Sequence, residues 1–363
     1  MKHVSFCALG AFVALGSGNS FAVPVSHMHA NGITANNIAV MQHSIMLNAF
    51  NNFDGTMSQI VGGYKGPVVE PEPEPETPPQ IDRYGEMLFY GEYGDDGTVF
   101  SSGRNGGDSR DTTDAAWIDW QHAQDYAKFD GFKKVDSHYD IISLGFADDP
   151  LDKTADSFHN FGGFGGFATA RENGKSVRVA ETGEYAGLYY AYYTHGFMLQ
   201  TAADFGVLFN DATSEYGKHD FTNMWGGGAF NATYNLFVDD ISVLQPGVYA
   251  GYTWIHADGY EPQPGVASDN FHIFEVSPSL RVITSLVKDW YSSMSVRYVF
   301  NFANGGETRD AGVALPKLEL LNYYEYGFTT EKNLDRFNFS ASINRRDGGR
   351  TGWLFDIHMK YIF

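Results

Sequence analysis

The eleven residues that close the sequence, Trp353-Leu-Phe-Asp-Ile-His-Met-Lys-Tyr-Ile-Phe363, alternate with a period of two. As a strand they put Trp353, Phe355, Ile357, Met359, Tyr361 and Phe363 on one face, because successive side chains point to opposite sides of a sheet. The other face receives Leu354, Asp356, His358, Lys360 and Ile362 and is mostly polar. In a water-soluble sheet the apolar face would turn to a core, and a chain seldom stops on its last core contact. In a bilayer that face meets hydrocarbon, which about 9–11 tilted residues suffice to cross. The ending predicts a transmembrane β-barrel.

The other end of the chain agrees. Met1-Lys2-His3 is followed by an apolar stretch from Val4 to Leu15 and by small residues at Ser20 and Ala22, the pattern of a cleaved secretory signal peptide over residues 1–22. Export through the Sec translocon is the corresponding expectation. Cys7, the one cysteine, lies inside this segment. The mature chain therefore has no disulfide framework, thiol nucleophile or cysteine-based zinc site. No later stretch holds eighteen consecutive apolar residues, which excludes helical membrane spans. Yet 16% of the residues are aromatic and 41 are glycine, as suits interfacial aromatic girdles and closely packed strands. The formal charge of −20 disfavours nucleic acid as a partner and is read as solvated acidic loops.

Four regions follow one another. Residues 23–64 contain a helix, best marked over Asn37–Phe50, with Met57 and Ile60 continuing it weakly. Residues 65–83 alternate Pro and Glu and form an extended spacer without a core. From 84 to 363 the chain reads as strand-length segments, with expected boundaries at 84–93, 138–147, 157–170, 181–194, 196–209, 222–236, 242–257, 271–285, 290–303, 318–330, 334–345 and 352–363. That makes an all-β, antiparallel up-and-down barrel of about twelve strands, with the short N-terminal α-helix in its lumen. Tight links near 194–195, 239–240, 287–288 and 333 alternate with longer polar ones near 172–180, 210–221, 258–270, 304–317 and 346–351, as short periplasmic turns alternate with external loops. The link at 147–156 fits this alternation least well. The first external loop is expected at 94–137.

The phase of the alternation sorts the charged residues. Glu275, Arg281 and Arg297 share the face opposite the apolar one, and a charge facing lipid is costly, so they are assigned to the lumen. There they shape ion passage or grip the helix, or else form a hydrogen-bonded network that stiffens the wall; the network is the preferred reading.

Leu244-Gln-Pro-Gly-Val-Tyr-Ala-Gly-Tyr-Thr-Trp-Ile-His-Ala-Asp-Gly259, Phe161-Gly-Gly-Phe-Gly-Gly-Phe167 and Met294–Phe302, in that setting and before the terminal strand, resemble the β-domain of autotransporters, the translocator barrel of type V secretion. The likeness covers about 84–363 and extends to the helix before it. It implies a twelve-stranded barrel in the outer membrane of a Gram-negative bacterium, surrounded by phospholipid and lipopolysaccharide and inserted by the barrel assembly machinery. For that machinery the face of Trp353, Phe355, Ile357, Met359, Tyr361 and Phe363 is the assembly signal. It further implies export of an N-terminal passenger, but residues 23–64 are too few for a β-helical one, so any passenger is rudimentary. Asn51-Asn52 resembles the helix at which some autotransporters cleave themselves by asparagine cyclisation; a helix cap or kink is the commoner reason for paired Asn.

The familiar chemistry is absent. There is no P-loop, His-Glu-x-x-His or Gly-x-Ser-x-Gly, so neither an enzyme nor a cofactor is expected. His27 and His29 offer only two metal ligands, and Asp108, Asp111 and Asp114 do not match a calcium loop, so no metal site is expected. The expected function is a translocator or anchor for a rudimentary passenger, or a surface structural protein. The alternatives are a narrow pore for small solutes, or an adhesin or enzyme acting through the 94–137 loop. Replacing Phe363 by Ser should impair membrane insertion far more than synthesis. Heat-modifiable migration on gels checks this: a normal folded band in that variant counts against the terminal strand as an assembly signal.

Overall fold

A computed structural model describes residues 29–53 and 115–363, apart from short gaps at 130–133, 148–150, 155–156, 175, 215–216, 240, 261–265, 288, 311, 316–319 and 335. One helix, α1 (Ala30–Phe53), precedes twelve wall strands: β1 (Ala115–Ala127), β2 (Val135–Ala147), β3 (Ser157–Asn173), β4 (Val177–Thr194), β5 (Phe197–Ser214), β6 (Gly217–Tyr234), β7 (Ser242–Asp258), β8 (Phe271–Val287), β9 (Trp290–Gly305), β10 (Tyr323–Leu334), β11 (Phe337–Gly348) and β12 (Arg350–Ile362). Each pairs antiparallel with its neighbours in sequence order. β1 also pairs with β12, Ala115 opposite Ile362 and Ala127 opposite Arg350. The sheet is closed, and among these strands none presents an unpaired edge to lipid.

The first residue of β1 and the last of β12 lie on one rim, called here the terminal rim, which also carries the His195-Gly196 turn. Both residues of that turn have positive φ, 47° and 84°, as a tight two-residue hairpin demands. The opposite, distal rim carries the long connections 259–270 and 306–322. A small sheet formed by Val266–Ser268, Thr308–Asp310 and Val313–Ala314 lies on that rim.

The phase read from sequence holds. Phe274, Leu280, Val282, Met294, Phe302, Phe339, Ile343, Phe355 and Ile357 are exposed on the outer surface, where they form the band that meets hydrocarbon. Aromatic pairs flank it. Phe197 with Tyr234 and Phe337 with Tyr361 sit toward the terminal rim, with ring centroids 4.4 and 4.9 Å apart. Tyr298 with Tyr324 sits toward the distal one, and the Arg345 guanidinium lies over Trp353, 5.0 Å from its centroid.

Three expectations need correction. The first wall strand is Ala115–Ala127, inside the expected 94–137 loop, while 84–93 lies outside the described residues. Its outer face includes His122 and Gln124 and its inner face Trp117, so the strand lacks the clean apolar alternation that marks the others. Second, the expected loops at 172–180 and 210–221 are largely strand, the strands ending at Asn173 and Ser214 and resuming at Val177 and Gly217. There Arg171, Arg178, Asp211, Thr213, Lys218 and Asp220 replace the outer apolar residues, so these hairpins rise beyond the hydrocarbon and the period-two signal stops before the strand does. Third, 346–351 is wall except for the tight turn, and α1 spans 30–53 rather than 37–50.

Inward glycines let aromatic rings lie flat along the wall. A Cβ on Gly145 would fall within the Trp117 indole, one on Gly206 within the Trp225 indole, and one on Gly162 against the Phe146 carbonyl and the Tyr189 ring. Gly145→Val and Gly206→Val should each cost about 1–3 kcal/mol through overpacking. Gly226→Val, whose new Cβ would have its nearest atoms at 3.7 and 3.9 Å, should be near neutral. The temperature at which each folded gel band disappears measures the contrast.

Candidate functional site

The barrel lumen is an enclosed space lined by polar and charged side chains, and α1 fills part of it. The helix sequence, ANGITANNIAVMQHSIMLNAFNNF, contains no Asp, Glu, Lys or Arg. Nearly all of it is buried, polar side chains included. Buried amides need partners, and the wall supplies carboxylates. Asn37 Nδ2 donates to Glu181 Oε2 at 3.1 Å, and Gln42 Nε2 donates to Asp204 Oδ1 at 2.5 Å. Thr253 Oγ1 donates to the side-chain Oε1 of Gln42, and His43 pairs with Glu275. At the helix end, the orphan carbonyl of Phe50 accepts from Gln200 Nε2 at 2.8 Å.

Direction along the lumen follows from these partners. Ala30 and Ile33 pack with Ala127, Val177, Ala212 and Tyr260, all near the distal rim. Phe50 meets Gln200, near the terminal rim. Burial pushes the Tyr260 phenol well above its ordinary range, so it stays neutral beside the Ala30 and Asn31 backbone. The helix thus enters at the distal rim and ends at the rim where β1 begins.

The strongest interactions centre on two arginines. The Arg346 guanidinium is fully buried and binds Glu325 Oε2 at 2.8 Å, Asp125 Oδ2 and Tyr139 Oη at 3.0 Å, and Ser44 Oγ of α1 at 3.2 Å. Arg350 lies by Asp125 at 3.6 Å and donates to Asn37 Oδ1 of α1 at 3.4 Å and to Ser137 at 3.3 Å. One layer therefore stitches five wall strands to the helix. A buried guanidinium with this many charged and polar partners recovers much of its lost hydration.

Below this layer, toward the terminal rim, α1 fills only one side of the lumen. α1 packs mainly against β2 to β7. Along β8 to β12 it leaves an open vestibule with a cavity volume of about 160 Å³, lined among others by Ser279, Arg281, Arg297, Glu331, Asn338, Ser340, Asp356 and Lys360. Among the described residues no three His, Cys, Asp or Glu side chains are placed to hold a metal ion.

Of the residues singled out from sequence, Glu275, Arg281 and Arg297 all face the lumen. Glu275 grips His43, Arg281 Nε donates to Ser293 at 3.2 Å, and Arg297 lies 3.5 Å from Glu325. Trp353, Phe355, Ile357, Met359, Tyr361 and Phe363 share the outer face. Asn51 is exposed in the last turn of α1 and lines the vestibule, with Asn52 next in the same helix. His29 is buried just before α1; His27, Asp108, Asp111 and Asp114, like the signal peptide and the Pro/Glu spacer, lie outside the described residues. Arg346 and Arg350 were missed because 346–351 reads as a loop. Carrying the inward phase of Asn338, Ser340 and Ser342 two steps further would have found Arg346.

The closed barrel is similar to solved structures. The β-domain of the Bordetella autotransporter BrkA aligns at a TM-score of 0.56 and 15% identity, over 69% of this chain and all of that one. The fold is that of an autotransporter translocator domain. The transport unit of AIDA-I from Escherichia coli aligns at 0.54 and 15% identity, over 69% of this chain and 90% of that one. The translocator domain of NalP from Neisseria meningitidis aligns at 0.54 and 10% identity, over 70% and 90%. Neither a protein-family model nor a curated protein sequence matches the chain. The chain thus has a β-barrel fold similar to those of autotransporter translocator domains.

Arg346→Met should cost about 3–5 kcal/mol, because it strands Glu325 and Asp125 as buried charges. Adding Asp125→Asn and Glu325→Gln should recover part of that loss. The thermal loss of heat-modifiability in the single and triple variants checks the order.

Proposed function

We propose that the protein is a self-plugged surface anchor: a translocator-type barrel whose own N-terminal segment is its rudimentary passenger, threaded outward and retained. One observation carries this reading. The N-terminal end of α1 lies at the rim with the long connections, while Phe53, Ala115 and Ile362 are grouped at or near the other. Single-chain barrels of even strand number keep short turns and both ends of the sheet on the periplasmic side, with longer loops outside. Residues before Ala30 would then emerge at the cell surface once a signal peptide over 1–22 is removed. Insertion by the barrel assembly machinery, through the outward face of β12, belongs to the same reading.

The mature chain has no cysteine, so a single introduced thiol reports topology cleanly. Ser26→Cys should react with a membrane-impermeant maleimide on intact cells. Val238→Cys, exposed on the terminal rim, should react only after the outer membrane is permeabilised. The reverse labelling pattern would refute the proposed orientation.

A further inference from the structure

We propose that the unfilled side of the lumen is a latent ion-conducting path running beside α1, interrupted by the Arg346 layer. This goes beyond surface anchoring and does not depend on which rim faces outward. The two sides of the wall differ in what their polar groups meet. Toward α1, inner-face groups of β1 to β7 such as Glu181, Asp204, Gln200 and Thr253 bond the helix and sit among packed rings such as Trp117, Tyr185 and Trp225. The inner face of β8 to β12 instead carries hydroxyls and amides, such as Ser279, Ser295, Thr329, Ser340, Ser342 and Asn344, around the open vestibule. Such a face is costly unless its polar groups are hydrogen-bonded, and α1 reaches few of them. Water is the partner that fits a polar space of this size.

The vestibule runs from Lys360 and Asn338 near the terminal rim to Glu325 and Asn344, next to Arg346. At the following layer everything closes. Arg346, Arg350, Asp125 and Tyr139 are at most 2% exposed, and Ile273, Val299 and Tyr323 complete the layer along β8 to β10 with 0–1% exposure. The closure toward α1 is made by polar contacts from Arg346 and Arg350 to Ser44 and Asn37. Such contacts can be exchanged for water, so opening the path does not require the helix to leave. Arg281 and Arg297 on β8 and β9 are balanced by Glu331 and Asp356 on β10 and β12. Small hydrated ions of either sign are therefore the class such a path would carry.

Two measurements on the full mature chain test this. Ser340→Cys should react rapidly with a water-soluble cationic methanethiosulfonate in the detergent-folded protein, whereas Val299→Cys should not. Unreactive Ser340→Cys, or reactive Val299→Cys, would overturn the wet vestibule or its closing layer respectively, without any change at Arg346. In planar bilayers the native sequence should stay closed in potassium chloride, and folded Arg346→Ala, verified by heat-modifiability, should pass small steps of weak ion selectivity. In Arg346→Ala/Ser340→Cys the same reagent should block more than half of that current. A silent Arg346→Ala, or a current indifferent to modification at position 340, would defeat the proposal, the latter by pointing to loss of the helix. Neither result bears on the surface-labelling pattern of Ser26→Cys.

Discussion

A strand crossing hydrocarbon cannot leave a backbone donor or acceptor unpaired, because there is no water to take it up. Everything else in this protein follows from the way that requirement is met, the antiparallel seam between β1 and β12. Once the sheet is closed, each strand has an outside and an inside. The outside must be apolar over the bilayer, and the inside inherits whatever the alternate positions supply. Phe355 and Ile357 on the outside and Asp356 and His358 on the inside of the same strand are the local form of that rule. The seam also brings Arg350 of β12 beside Asp125 of β1, joining the two ends of the sheet by an ion pair as well as by backbone hydrogen bonds.

A polar interior in turn selects its filling. Wall carboxylates such as Glu181 and Asp204 accept hydrogen bonds, so a segment offering neutral amide donors satisfies them without bringing further charge into a poorly hydrated space. α1 has that composition. At the Arg346 layer charged hydrogen bonds from arginine are added, and one guanidinium serves wall and helix together. The glycines divide the work differently. By giving room to Trp117, Tyr189 and Trp225 along the inner wall, they leave the lumen wide enough for a helix lying to one side.

The architecture was legible in the sequence because alternation against lipid is a strong, periodic signal, and the phases of β7, β8, β9, β11 and β12 were all read correctly. That signal has a range limited to the bilayer. Where strands extend beyond it, as at 171–173 and 211–214, both faces are polar and the text looks like loop. β1 escaped notice for a related reason. Its inward Trp117 lies over Gly145, and its outer face carries His122 and Gln124, so inside and outside do not contrast. The lumenal charges Glu275, Arg281 and Arg297 were recoverable from phase alone. The Arg346 cluster was not, since it gathers residues 221 positions apart and depends on the seam that sequence order does not reveal.

The lack of Asp, Glu, Lys and Arg in α1 has an electrical consequence. Moving one elementary charge through 100 mV changes its energy by about 2.3 kcal/mol, which is how fields drive charged segments across membranes. A strip of amides and aliphatic groups gives a potential almost nothing to pull on, and its lone imidazole is tethered to a wall carboxylate. An applied voltage should therefore leave this stopper seated, and any sensitivity to it must reside in the surrounding arginines and acids.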